Sequence, residues 1–134
     1  MVINVKATSK KIKGYDALNQ ISGHYYDGVS SRIIHLAFNL QSVSFAVMMV
    51  PTTRQQWWGD NNICFLKLRC DYASVHFDTY GYCLPHLKEI NIDEWNGELC
   101  VEIKGYATIT CKRIVAKVET IAASSPDLPT VWKW

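Results

Sequence analysis

The stretch "INIDEWNGELCVEIKGYATITC" (Ile90–Cys111) decides how this chain is read. Asn96-Gly97 lies between two runs of alternating character. A two-residue type I′ turn needs positive φ at both central positions, and Asn-Gly supplies it at low cost. Leu99, Val101 and Ile103 alternate with Cys100, Glu102 and Lys104, the period of a strand with one buried face. Trp95 stands at the mouth of this hairpin. Gly105 is expected as a bulge or a bend in the strand that follows.

Outward from the hairpin the same grammar repeats. "ICFLKLRCDY" puts Cys64, Leu66, Leu68, Cys70 and Tyr72 on one face and Phe65, Lys67, Arg69 and Asp71 on the other. In "ASVHFDTYGYC", Val75 and Phe77 oppose His76, Asp78 and Tyr80. "RIIHLAFNL" aligns Ile34, Leu36, Phe38 and Leu40. "VSFAVMMVP" aligns Val43, Phe45, Val47 and Met49, and its other face carries Ala46 and Met48, so both faces are expected to be buried. Gln41 and Ser42 are expected to turn between these two, and Pro51 ends the second. Val2–Lys6 reads as a short first strand and Asp16–Ile21 as one or two helical turns. "RIVAKVETIAA" (113–123) suits either a helix or a strand.

The fold class is therefore all-β, or mainly β with one short helix. An antiparallel barrel of six to eight strands is the first expectation and a small β-sandwich the second. The 134 residues suggest a single domain, 1–123, followed by an extended tail, 124–134. With 49% hydrophobic and 19% charged residues, the chain is globular and not disordered. No apolar run approaches the ~20 residues that span a bilayer, and the N-terminus lacks the charge-then-apolar order of a secretory signal. A cytoplasmic protein without a membrane partner is expected. The five cysteines, an odd number, argue against a disulfide framework.

The segment from Ile63 to Ile109 runs "CFLKLRC", "VHFDTYGY", "LPHLKEINIDEWNGELCVEIKGYATI". This order resembles the oligonucleotide/oligosaccharide-binding (OB) fold, in particular the oligonucleotide-binding domain of single-strand-specific exonucleases. Trp95, Asn96 and Gly97 match its Trp-Asn-Gly hairpin, and Tyr80-Gly81 loosely match its aromatic-Gly element. The phosphoesterase motifs of those enzymes are absent. The resemblance therefore implies an OB-like barrel and a binding module without catalysis.

Single-stranded nucleic acid is held by aromatic platforms and a basic track. Phe65, Lys67 and Arg69 interleave both on one strand face. Trp57 and Trp58 lie in the preceding loop beside Arg54, and Trp95 waits at the hairpin. These seven residues form the expected nucleic-acid groove. A net charge of only +2 gives no broad basic footprint for duplex DNA. It suits the rival expectation: a small protein-interaction module, such as an inhibitor or immunity protein of a mobile element or phage. That module would use the same loop aromatics as anchors. Trp132 and Trp134 in the tail are expected either to dock a partner or to cover the barrel end. The partner is single-stranded nucleic acid, a protein or a second copy of the chain.

Other chemistries are weaker. Cys83-Leu-Pro-His86 has ligand spacing but no second close pair, so no metal is expected. The four histidines are scattered; His76 near Asp78 is the nearest to an oriented one, and no nucleophile elbow occurs. Asp93, Glu94, Glu98 and Glu102 crowd the hairpin and read as a solvated acidic face. Nucleotide-binding glycine patterns are absent. No cofactor and no enzymatic activity are expected.

Overall fold

The structure, a computed structural model, describes residues 1–7, 9–28, 31–50, 62–78 and 87–122. Within these the chain is mainly β. The strands are β1 (Val2–Val5), β2 (Ile12–Lys13), β3 (Arg32–Phe38), β4 (Ser42–Met49), β5 (Asn62–Asp71), β6 (Ser74–Phe77), β7 (Glu89–Trp95), β8 (Glu98–Ile103), β9 (Ala107–Cys111) and β10 (Arg113–Ala122). One helix, α1, covers Tyr15–Ile21.

The strands form two mixed sheets and do not close into a barrel. Sheet A runs β1-β7-β8-β9-β6 and sheet B runs β2-β10-β5-β4-β3. Each sheet is antiparallel apart from one edge. There β1 joins β7 and β2 joins β10 in parallel. Those parallel pairs use the N-terminal strands as edges of separate sheets, which is why a simple meander closing on itself does not arise. Ile3, Ile90, Ile92, Leu99, Val101 and Ile109 from sheet A meet Val43, Phe45, Val47, Leu66, Leu68 and Ile114 from sheet B in a single core. Each such side chain, fully buried, stabilises the fold by about 1.5–3 kcal/mol. The two-layer arrangement corresponds to the sandwich expectation.

Residues 2–21 close one side of the sandwich. The chain leaves β1 in sheet A, crosses through a 3-10 turn at Ser9–Lys11, and enters β2 in sheet B. Helix α1 then packs on β10 and β1. With seven residues and no side-chain N-cap, α1 is held by packing rather than by propensity. Leu18 and Ile21, three apart and so on one face, are both buried. Its N-cap Gly14 has φ +85°, and a Cβ there would overlap the carbonyl oxygen of Ala116. Only glycine meets both demands. At the other end, Gly23 N–H donates to Ile3 O and Val5 N–H donates to Ser22 Oγ, tying the helix exit to β1.

The Asn96-Gly97 turn has φ +50° and +80°, as the type I′ reading requires. Gly105 differs from expectation. It is neither bulge nor bend but the third residue of a tight turn between β8 and β9, with φ +80° and Tyr106 N–H bonded to Ile103 O. A positive φ at that place is what a type II turn demands. The irregularity lies instead in β3, where the register with β4 shifts between Ile33 and His35. Segment 113–122 is a strand: its β-branched residues pair with β5 along ten positions.

Candidate functional site

The side of the sandwich opposite residues 2–21 is built from the two edge strands β3 and β6. Phe38 ends β3 and Phe77 ends β6. Their ring centroids lie 6.0 Å apart, edge to face, and Phe77 meets Tyr106 in the same manner at 5.7 Å. These geometries are favourable for aromatic pairs. Yet Phe38 is 57% and Phe77 43% exposed, so the pairing leaves much of both rings in water.

Beside Phe38 the chain turns through Asn39, Leu40 and Gln41 into β4. Asn39 N–H bonds Ser42 O, and Leu40 stands fully in solvent. This turn, with Ser42, Asp71, Tyr72 and Arg113, lines an open groove of about 380 Å³. Tyr72 is the unusual member. It has φ +55°, a conformation that bulky L-residues avoid, and its side chain is 59% exposed. The backbone on both sides holds it there: Ala73 N–H donates to Gln41 O, and Lys112 N–H donates to Asp71 O.

The groove floor is charged. Asp71 is largely buried and accepts from Arg69 Nε at 3.1 Å and Arg113 Nε at 2.9 Å, while Arg113 Nη2 lies 2.8 Å from the same carboxylate. Two guanidinium groups share one carboxylate, and Lys112 follows directly on the backbone bond to Asp71. The local balance is positive. The outer face of sheet A has the opposite sign: Glu89, Asp93, Glu98 and Glu102 project there, with Lys104 bonded to Glu89 at 3.3 Å and Asn91 bridging Asn4 to Glu102.

The expected nucleic-acid residues that the structure describes, Phe65, Lys67, Arg69 and Trp95, do not share one exposed surface. Arg54, Trp57 and Trp58, like Trp132 and Trp134 of the tail, lie outside the described residues. The open face expected on β5 is corrected. Phe65 and Lys67 are 1% and 2% exposed, with Met48 and Glu119 beside Phe65 and Ala46 and Lys117 beside Lys67 on the flanking strands β4 and β10. Lys67 sits directly opposite Lys117, and its ammonium turns toward Glu119, 3.5 Å away. Arg69 is half-exposed and bound to Asp71. Trp95 is 76% exposed at the β7–β8 turn. Around that turn Lys11 pairs with Glu94 at 3.4 Å and donates to Gly97 O.

Sequence reasoning placed Phe38, Leu40 and Tyr72 on core faces by strict alternation, and so missed the groove. The available signal was the turn chemistry of Asn39-Leu40-Gln41 and the end of alternation after Asp71. His76 and Asp78, 3.6 Å apart, are both solvent-exposed. Among the described residues no group of three His, Cys, Asp or Glu could hold a metal ion, and no helix is long and apolar enough to cross a membrane. The Cys83–His86 spacing lies outside the described residues. Burial pushes the Cys64 thiol up to about 12 and holds the Tyr26 hydroxyl above its ordinary range. No family model, no curated protein and no solved structure matches this chain.

Proposed function

We propose that this chain is a non-catalytic protein-interaction module. It docks an acidic, apolar segment of a partner protein on the groove at Leu40, Tyr72 and Arg113 and on the neighbouring Phe38 and Phe77. The observation that carries this reading is Tyr72: a large aromatic, exposed, and kept in a disfavoured backbone conformation next to a groove. Aromatic and arginine side chains are the usual anchors of protein interfaces. The excess positive charge of Arg69, Arg113 and Lys112 over Asp71 selects for carboxylates on the partner.

Single-stranded nucleic acid is the competing reading, drawn from the OB-like resemblance and the exposed Trp95. It is less well supported, since Phe65 and Lys67 are buried and the outer face of sheet A is acidic.

Peptides selected from a random displayed library on the intact protein test the proposal. The enriched peptides are expected to combine Asp or Glu with aromatic or aliphatic residues. Leu40→Ala with Phe77→Ala is expected to weaken them tenfold or more, read by fluorescence polarisation, with an unchanged circular dichroism spectrum. Enriched peptides that are indifferent to these substitutions overturn the proposal. So does oligo-dT binding that falls steeply with salt and is lost in Trp95→Ala, which would restore the nucleic-acid reading.

A further inference from the structure

Strand β5 of sheet B and strand β9 of sheet A come into contact. Lys112 N–H bonds Asp71 O at 3.1 Å, and Arg113 pairs with Asp71 at the start of β10. The residue before each bonded partner is a cysteine: Cys70 on β5 and Cys111 on β9. Both thiols point into the core, with 0% and 1% exposure, and Cys70 hydrogen-bonds Cys111. The two cysteines belong to different sheets and lie one residue from a shared backbone hydrogen bond. A disulfide joins residues whose Cα atoms are about 4.4–6.8 Å apart, and β5 and β9 come into contact across the two sheets.

We propose that Cys70 and Cys111 form a latent disulfide that a hydroperoxide closes, linking sheet A to sheet B beneath the groove. The thiols are not equivalent. Cys70 is held protonated, first by its hydrogen bond to Cys111 and then by burial. Cys111 is the easier to ionise, because Cys70 donates to its sulfur and the Arg113 backbone N–H adds a second bond. Cys111 is therefore the attacking sulfur. Its thiolate cleaves the O–O bond of the hydroperoxide, forming the sulfenic acid and releasing the alcohol, or water from hydrogen peroxide. Cys70 then attacks that sulfur, the S–S bond forms, and the hydroxyl leaves with the Cys70 proton as water. The two thiols lose two electrons and the peroxide gains them. Cys64 and Cys100 lack this arrangement: Cys64 is buried on β5 away from the corner, and Cys100 faces outward beside Asp93 and Glu102.

The test uses the intact reduced protein and hydrogen peroxide, followed by thiol alkylation in denaturant, digestion and mass spectrometry. The expected product is a Cys70–Cys111 cross-linked peptide, lighter by two hydrogens than the separate peptides and split by reductant. Cross-linking residues this far apart in sequence restrains the unfolded chain, so the oxidised form is expected to melt several degrees higher. Cys100→Ser should leave the link intact. Cys70→Ser, or Cys70→Ala if the serine variant does not fold, should abolish both the link and the rise in melting temperature. Recovery of Cys70 and Cys111 as alkylated thiols after oxidation overturns the proposal, as does a link from either to another cysteine.

Discussion

Arg113 clasps the Asp71 carboxylate through two nitrogens, Nε at 2.9 Å and Nη2 at 2.8 Å, while Arg69 takes its other oxygen. The carboxylate is largely buried and both arginines are half-exposed, so solvent weakens the attraction without cancelling it. Asp71→Asn keeps the shape and removes the charge, leaving two guanidinium groups facing each other. A loss of about 1–2 kcal/mol is expected in urea unfolding. The same variant makes the groove more positive, so an acidic peptide should bind it more tightly than it binds the parent protein. Weaker peptide binding would show that Asp71 itself meets the partner.

Tyr72 offers the converse trade. A non-glycine residue at φ +55° costs about 1 kcal/mol, and asparagine tolerates that region better than tyrosine. Tyr72→Asn is expected to raise stability by roughly 0.5–1 kcal/mol while weakening peptide binding. A variant that loses stability instead would mean the ring packs on the protein rather than on a partner.

Gly14 is the position where the backbone has least room. An added methyl at Gly14→Ala meets the Ala116 carbonyl in a conformation alanine disfavours, so α1 must shift away from β10. The expected cost is at least about 2 kcal/mol. Gly23→Ala, with equally positive φ but open space around it, should cost only about 1 kcal/mol. Equal costs in denaturant titration would remove the steric argument.

Alkali should expose the buried thiol at Cys64. In the unfolded chain it ionises near the ordinary 9.0, whereas in the fold it holds its proton to about 12. Between these values the unfolded state binds fewer protons, so stability present below pH 9 is lost as pH rises toward 12. Urea midpoints measured from pH 8 to 11 are expected to be flat and then to decline. Cys64→Ala should shift the whole curve down for its lost packing and flatten its alkaline limb. An unchanged limb would assign the decline to other groups, Tyr26 first among them.

Phe65→Ala separates the two readings of β5. A buried phenylalanine reduced to alanine costs about 3–5 kcal/mol, whereas a surface stacking platform costs little stability and much affinity. The buried position in the structure predicts a large shift of the unfolding midpoint.

Much of the fold was legible because period-two patterning reports which side of a strand is apolar. Val43, Phe45, Val47 and Met49, and likewise Cys64, Leu66, Leu68 and Cys70, line the core as the alternation implied. The Asn96-Gly97 turn was legible for a local reason, its turn chemistry. What alternation does not encode is which strands lie in the middle of a sheet. Nor does it say what covers a strand's second face, and so Phe65 and Lys67 read as an outer face yet are buried. It also says nothing about parallel pairing between β1 and β7, which depends on contacts far apart in sequence. The groove was least legible. Leu40 and Tyr72 extend the apolar rhythm of their strands by one step past the last ladder residue, where rhythm no longer implies burial.

Val2–Val5 pairs with Glu89–Ile92. During synthesis, then, this strand meets its ladder partner only after β7 has left the ribosome, and until then only the bonds to residues 22–26 are within its reach. Closing so long a span carries a heavy entropic toll and slows folding. Through that interval the edge of β1 that β7 later covers stands open to other nascent chains.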